Sequence, residues 1–275
     1  MKFRTVFFLF NLIIVLSFAF IFLMPLPILG WAYAVSFWGQ NWPIAFVFVA
    51  VLAALDGYFL AHWRLYTLLE REDWPGLKVH LEAELARKGR LSLSSSRIYI
   101  NACLIGQVPS KLTELRVLYM EKKIPYLPQL ALSLALPLVL EGQSAEVESF
   151  LRPYATNRKT GADGPWIRWS LAFAGLLGNE RDRSRNELQN LLGDRLEPAL
   201  ELLSLYLIDT LRASDVEQNV NYDQKKAVLA AGLTDKEWVA HLDKLKETVI
   251  LVLFMGKLIQ DARTWLAAPA PGGTS

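Results

Sequence analysis

The sequence predicts an all-α protein in which an N-terminal transmembrane helical hairpin is followed by an α-solenoid. Two long apolar runs near the start predict the hairpin, and a short pattern that recurs every 36 residues predicts the solenoid. No segment shows a convincing alternation of apolar and polar residues, the pattern of a half-buried strand. The composition agrees, because 53% hydrophobic residues with 20% charged residues indicate a membrane part joined to a water-facing part.

The first element is the hairpin, predicted for residues 1–63. Residues 6–29 and 44–63 are almost continuously apolar, and a helix needs about 20 such residues to cross a bilayer. Residues 30–42 carry no charge and several aromatic side chains, which favour the headgroup level. We therefore expect this middle stretch to form an interfacial turn between two spans.

Positive charges flank the hairpin on one side. Lys2 and Arg4 precede the first run, and Arg64, Arg71 and Lys78 follow the second. The positive-inside rule then predicts a bacterial cytoplasmic (inner) membrane protein with both termini and the repeat domain in the cytoplasm.

A secretory signal is the alternative interpretation of the same start. Its cleavage site would follow the small residues of Ala32-Tyr33-Ala34. The repeat domain would become periplasmic only if the second run then failed to span.

Asp56 is an acid inside the second apolar run. Such a residue suggests a proton or ion site by default. The competing interpretations are a carboxylate that reaches interfacial water and a hydrogen bond to Asn11 between the two helices.

The second element, residues 64–213, is predicted as about four helical hairpins. Gly106, Gly142 and Gly178 recur within similar tetrapeptides at a spacing of 36 residues. We expect each glycine to end a helix in the left-handed conformation, which costs glycine little. The predicted helices are residues 74–88, 91–105, 109–122, 126–141, 144–156, 165–177, 180–192 and 198–212. Stacking of such hairpins gives a solenoid.

The period and the helix-turn-helix layout resemble tetratricopeptide repeats, with small residues at the equivalent positions Ala102 and Ala174. The family's Trp, Leu-Gly and Tyr signature is not reproduced, and Pro137 interrupts the second unit. The resemblance implies a scaffold that binds protein partners in a concave groove. The combination with a two-helix anchor also resembles spirochaete membrane repeat proteins, which implies a place around a flagellar motor.

The third element, residues 214–267, is predicted to contain capping or interaction helices. Thr234 and Glu237 have the spacing of a capping box, and we expect the helix that they open to continue to Ala267. Its apolar residues form one seam that covers the last repeat or binds a partner: Trp238, Leu242, Leu245, Val249, Val252 and Ile259. Residues 268–275 are predicted to be a disordered tail.

The sequence contains no recognisable catalytic motif. His62, His80 and His241 are far apart and form no metal-binding pattern, and the single Cys103 lies in an apolar segment. A net charge of +2 does not favour nucleic acid. We expect no enzymatic activity, no cofactor, no metal and no small-molecule substrate.

The predicted function is therefore a membrane-anchored scaffold whose partners are the lipid bilayer and either other proteins or copies of itself. Candidate partner-binding residues are Trp166, Arg168 and Trp169, a type of cluster enriched in interfaces, together with the apolar seam. The favoured interpretation of the two tryptophans is structural, with one ring in the seam between units and the other reaching the surface with its polar end. Two alternatives stay open. One is a structural subunit of a large envelope assembly such as a flagellar motor accessory ring, and the other is a small transport or sensing unit that uses Asp56.

Overall fold

The computed structural model describes residues 3–211, 220–232, 234–248 and 250–267. Within these ranges all regular structure is helical and no residue lies in a β-strand, which confirms the all-α class. The chain divides into two compact units, residues 1–107 and 108–275. The predicted boundary at residue 213 and the predicted tail at residues 268–275 lie outside the described residues.

The first unit begins with the apolar hairpin and continues with shorter helices. Its helices are α1 (Phe3–Leu23), α2 (Pro25–Leu29), α3 (Trp31–Ala61), α4 (Trp63–Glu70), α5 (Trp74–Lys88) and α6 (Leu93–Ile105). Thr5–Leu29 and Trp31–Ala61 are long and apolar enough to cross a membrane. Their side chains are largely exposed, as expected of helices that face lipid.

The predicted interfacial turn over residues 30–42 is wrong, because α3 already begins at Trp31. The chain reverses at Gly30, whose φ of 80° is accessible to glycine. Trp38, a residue of the predicted turn, donates its indole N–H to the Phe22 carbonyl of α1 at 2.8 Å. A continuous helix satisfies the backbone groups internally, which an apolar environment requires, and α3 tolerates Pro43 within it.

Helices α5 and α6 form the first predicted pair. The Asp73 side chain accepts a hydrogen bond from the Gly76 N–H and caps α5, and Ser92 caps α6 through the Ser95 N–H. Gly89 ends α5 in the left-handed conformation with φ of 68°. The predicted boundaries of this pair are confirmed to within two residues.

The second unit contains ten α-helices in its described part. They are α7 (Pro109–Glu121), α8 (Ala131–Leu140), α9 (Ser144–Leu151), α10 (Asp163–Leu177), α11 (Arg181–Leu192), α12 (Pro198–Thr210), α13 (Val220–Gly232), α14 (Asp235–Thr248), α15 (Ile250–Phe254) and α16 (Gly256–Ala267). From α7 to α12 each helix packs on the next, and α10 also contacts both α8 and α12. Helix α16 packs on α12.

Two helices of this unit are shorter than predicted. In place of the start of the helix predicted at residues 126–141, the chain forms a 3-10 turn, Leu127–Gln129, and α8 follows it. In place of the helix predicted at residues 144–156, the chain forms α9, which ends at Leu151, and then a 3-10 turn, Arg152–Tyr154. Both 3-10 turns contain a proline at their second position, where the missing N–H prevents a regular helical hydrogen bond.

The predicted glycine conformation is correct for Gly142, with φ of 71°, and wrong for Gly106 and Gly178, which have φ of −75° and −81°. In those two turns the following residue, Gln107 or Asn179, takes positive φ. Gly178 is small for another reason, since a Cβ there would lie 2.8 Å from the Ser144 hydroxyl oxygen of α9. A side chain at this position would therefore require Ser144 to move.

The continuous helix predicted from Thr234 to Ala267 is also wrong. The helix is interrupted at Met255, between α15 and α16, whereas Val249, between α14 and α15, lies outside the described residues. The capping box itself is confirmed, because the Thr234 N–H donates to the Glu237 carboxylate at 2.8 Å and the Glu237 N–H donates to the Thr234 hydroxyl at 3.4 Å.

Candidate functional site

The predicted aromatic cluster lies at the start of α10. Trp166 and Trp169 are buried with their rings edge to face at 6.2 Å, and Trp169 stacks on Phe173 at 5.1 Å. Arg168, between them in sequence, is partly exposed and forms an ion pair with Asp194 after α11. The two rings therefore belong to the packed interior, and Arg168 is the member of this cluster at the surface.

Glu197 lies beside this cluster, immediately before α12. Burial raises the pKa of its carboxyl group, and a hydrogen bond from Trp166 offsets part of that effect. Its Oε1 atom is buried without a hydrogen-bond partner. Sequence reasoning missed Glu197, because an acid before a proline at a helix start is ordinary and its burial depends on tertiary packing.

A series of ion pairs joins the first helices of successive hairpins. Arg116 on α7 pairs with Glu146 on α9 at 3.4 Å, and Arg152 at the end of α9 pairs with Glu187 on α11 at 3.0 Å. Arg116 and Arg152 are 36 residues apart. Two arginines one repeat apart thus each pair with an acid on the first helix of the next hairpin, although these acids are themselves 41 residues apart.

The exposed ends of α8 and α10 carry an apolar surface that we call the helix-end patch, formed by Leu140, Gly142 and Leu177. Leu140 and Leu177 are 49% and 51% exposed, although both are large aliphatic residues. A Cβ on Gly142 would lie 3.9 Å from the Leu177 side chain, so the two helix ends are adjacent. The sequence predicts only helix ends at the neighbouring glycines, and the leucines before them are the signal that could have indicated this patch.

The predicted C-terminal seam is largely buried. Trp238, Leu245 and Val252 are less than 10% exposed, as is Ile259, and Leu242 is half-buried. Val249 lies outside the described residues. Trp265 on α16 donates its indole N–H to Asp209 of α12 at 2.8 Å, so this part of the chain is fastened to the last predicted hairpin.

Asp56 lies on the half-buried side of α3, among residues that follow one another at spacings of three and four. Asn11 lies on the corresponding side of α1, and its amide donates to the Phe7 carbonyl of the same helix at 3.1 Å. Both residues therefore belong to the seam along which α1 and α3 pack.

The remaining candidates for chemistry stay apart. The described residues contain no group of three or more His, Cys, Asp or Glu side chains that could hold a metal ion. Cys103 is buried. Burial lowers the pKa of His80 and of His241, an effect that disfavours the protonated ring.

Comparison with known proteins identifies relatives in one bacterial genus. A family model described as "Uncharacterised Treponema protein" matches residues 111–268, which are more than half of the chain and lie entirely within the second unit. An "Uncharacterized protein" of Treponema pallidum (strain Nichols) is 24% identical over 262 residues, which cover 90% of this chain and 80% of that protein. No solved structure matches. The spirochaete link predicted from the sequence is therefore supported, and the chain belongs to the family described as uncharacterised Treponema protein.

Proposed function

We propose that this protein is a non-enzymatic scaffold of the cytoplasmic membrane, in which α1 and α3 anchor a tetratricopeptide-like helical array that binds protein partners. The observation that carries the proposal is the repeated contact pattern of α7 to α12. The second helices α8, α10 and α12 pack in sequence, and the first helices α7, α9 and α11 are joined by ion pairs. Such stacking of hairpins is the construction principle of α-solenoids.

The membrane anchor is the part of the protein that would concentrate bound partners at the membrane. Partners that bind the array are held close to the membrane, which raises their effective concentration for one another without any new contact. The charges at Arg64, Arg71 and Lys78 favour the cytoplasmic side for the array.

The helix-end patch is the surface at which we expect a partner to bind. Leu140 and Leu177 each leave about half of the side chain exposed at neighbouring helix ends, and exposed apolar patches mark protein-interaction sites. The patch lies in the second unit, the part of the chain that the family model matches.

The test is photo-cross-linking in intact cells with a cross-linking amino acid at Leu177. The same amino acid at Lys122, an exposed residue just after α7, is the matched control. A product with a different protein that forms from position 177 and not from position 122 supports the scaffold. A product between two copies favours the alternative of a large envelope assembly such as a flagellar motor accessory ring, and no product from position 177 contradicts both.

Sidedness is tested separately with an Ala145→Cys variant in a Cys103→Ser background, because Ala145 on α9 is exposed. Protection from an impermeant thiol reagent in intact cells, with reaction after permeabilisation, agrees with a cytoplasmic array. Reaction in cells with an intact inner membrane places the array in the periplasm and contradicts the proposed orientation.

A further inference from the structure

Two polar residues lie on the half-buried sides of α1 and α3 in the hairpin. The half-buried residues of α1 in this seam are Phe7, Asn11, Ile14, Phe18 and Phe22, and those of α3 include Ala45, Phe48, Leu52, Asp56 and Phe59. The spacing of three and four residues places each set on one face of its helix. Asn11 is the polar member of the α1 set and Asp56 that of the α3 residues named here. Asn41, four residues before Ala45, is also half-buried.

Ring contacts fix the register of the two helices. Phe7 lies 5.7 Å from Phe59, and Phe18 lies 4.1 Å from Phe48, measured between ring centroids. Asn11 is four residues from Phe7, and Asp56 is three residues from Phe59, so at about 1.5 Å per residue their levels agree within about 1.5 Å. The second ring contact gives the same result, because Asn11 is seven residues from Phe18 and Asp56 is eight residues from Phe48.

The Asn11 side chain has one polar atom that lacks a hydrogen-bond partner. Its amide N–H bonds to the Phe7 carbonyl, whereas its Oδ1 atom is buried with no hydrogen-bond partner. An unsatisfied polar atom is costly in a hydrocarbon environment, where no water replaces the missing partner. Asn11 Oδ1 therefore needs a donor from the facing helix.

Asp56 supplies that donor only when it carries a proton, because a carboxylate accepts and a carboxylic acid both donates and accepts. We propose that Asp56 and Asn11 form an intramembrane proton-binding site, in which the Asp56 carboxylic acid donates its O–H to Asn11 Oδ1. The ligand is a proton rather than a divalent metal ion, since two side chains offer far fewer oxygens than the six or more that Ca²⁺ or Mg²⁺ takes.

The surroundings contain few other titratable groups. Between Thr5 and Leu23, α1 carries none, and α3 adds only Tyr33 and Tyr58. Helix α4, which contacts both, carries Arg64, Tyr66 and Glu70, and His62 precedes it. The inference rests on the membrane insertion of the hairpin, which belongs to the proposed function, and it is independent of partner binding.

The facing geometry is tested with cysteine pairs in full-length protein in native membranes, in a Cys103→Ser background. Asn11→Cys with Asp56→Cys should form an intrachain disulfide at least about fivefold faster than Asn11→Cys with Ala54→Cys, because a disulfide needs Cβ atoms about 4 Å apart. Ala54 is exposed, and a residue two positions from Asp56 lies on another side of α3. Equal rates for the two pairs would overturn the inferred register.

Proton occupancy is tested with dicyclohexylcarbodiimide, which reacts with protonated carboxyl groups in apolar surroundings, and the modified peptide is identified by mass spectrometry. We expect the reagent to modify Asp56. Asn11→Leu should reduce the modification at pH 7 by about twofold to tenfold, the factor that one net hydrogen bond provides. Asn41→Leu is the matched control, because Asn41 on α3 makes the same type of bond, to the Phe37 carbonyl at 2.8 Å.

The same membranes are washed with alkaline carbonate to separate two kinds of failure. Release of the protein by carbonate contradicts the membrane anchor itself. Retention of the protein without modification of Asp56, or with a modification that Asn11→Leu leaves unchanged or increases, overturns the proton site and leaves the anchor intact.

Discussion

The Ser144 hydroxyl oxygen occupies the space that a side chain on Gly178 would need, at 2.8 Å from the position of such a Cβ atom. We therefore expect Gly178→Ala to lower the free energy of unfolding by about 1–3 kcal/mol, the usual cost of overpacking. Chemical denaturation of the full-length protein in detergent measures the change. Gly232→Ala is the control, since a Cβ at Gly232 meets no atom within 4 Å. Equal stability of the two variants would contradict the close packing of α9 and α10.

The ion pair between Arg152 and Glu187 should contribute little energy by itself. Both side chains are partly exposed, and surface pairs of this type contribute about 0.2–1 kcal/mol. A double-mutant cycle with Arg152→Ala and Glu187→Ala measures the coupling energy. We expect it to fall within that range and to decrease with added salt. A coupling that salt leaves unchanged would mean that the pair is shielded from solvent and that the described exposure is wrong.

Burial of Glu197 predicts a specific pH dependence of stability. Its pKa in the folded state lies above the ordinary value of 4.5, so the stabilisation of the folded state by the protonated acid is complete below pH 4.5 and is lost as pH rises through the folded-state pKa. Glu197→Gln should therefore be more stable than the natural protein at pH 7 and should show a flatter profile above pH 4.5. Thermal unfolding between pH 4 and pH 8 checks this, with the exposed Glu121→Gln as control.

The capping box of α14 responds to pH in the opposite direction. Hydrogen bonds from the Thr234 N–H and hydroxyl lower the pKa of Glu237, so its contribution is present above the ordinary pKa of 4.5 and is lost as pH falls through the folded-state value. Thr234→Ala should increase amide hydrogen exchange in the first turn of α14 at neutral pH, whereas Thr234→Ser should not. Unchanged exchange in Thr234→Ala would show that packing, and not the cap, holds this helix end.

Local chemistry predicted most helix boundaries correctly. Pro198 begins α12, Gly193 follows α11, and the Thr234 cap precedes α14, because each depends on a few neighbouring residues. The 3-10 turn at Leu127–Gln129 shows the limit, since Pro128 is compatible with either a first helical turn or a 3-10 turn. Tertiary packing decides between them.

The burial and pairing of the candidate site residues could be predicted less well from the sequence, because they depend on tertiary structure. The tryptophans of α10 have the composition of an interface, yet both rings are buried, because periodicity does not show which side of a helix its neighbours cover. The pairing of Asn11 with Asp56 was one of the interpretations of the sequence. Its support comes from the ring contacts of Phe7 with Phe59 and of Phe18 with Phe48, which set the register. No single-helix pattern contains that information.

The one-residue reversal at Gly30 has a consequence for biogenesis. Because α2 ends at Leu29 and α3 begins at Trp31, a hairpin inserted in a bilayer has almost no chain to translocate. We expect both spans to enter the bilayer together as a preformed pair, with the ring contacts already made, and not as two successive segments. We expect that polar residues added to the connection at Gly30 slow membrane insertion in a cell-free translation system. The same insertion should change the stability of the folded protein less than it changes the rate of membrane insertion.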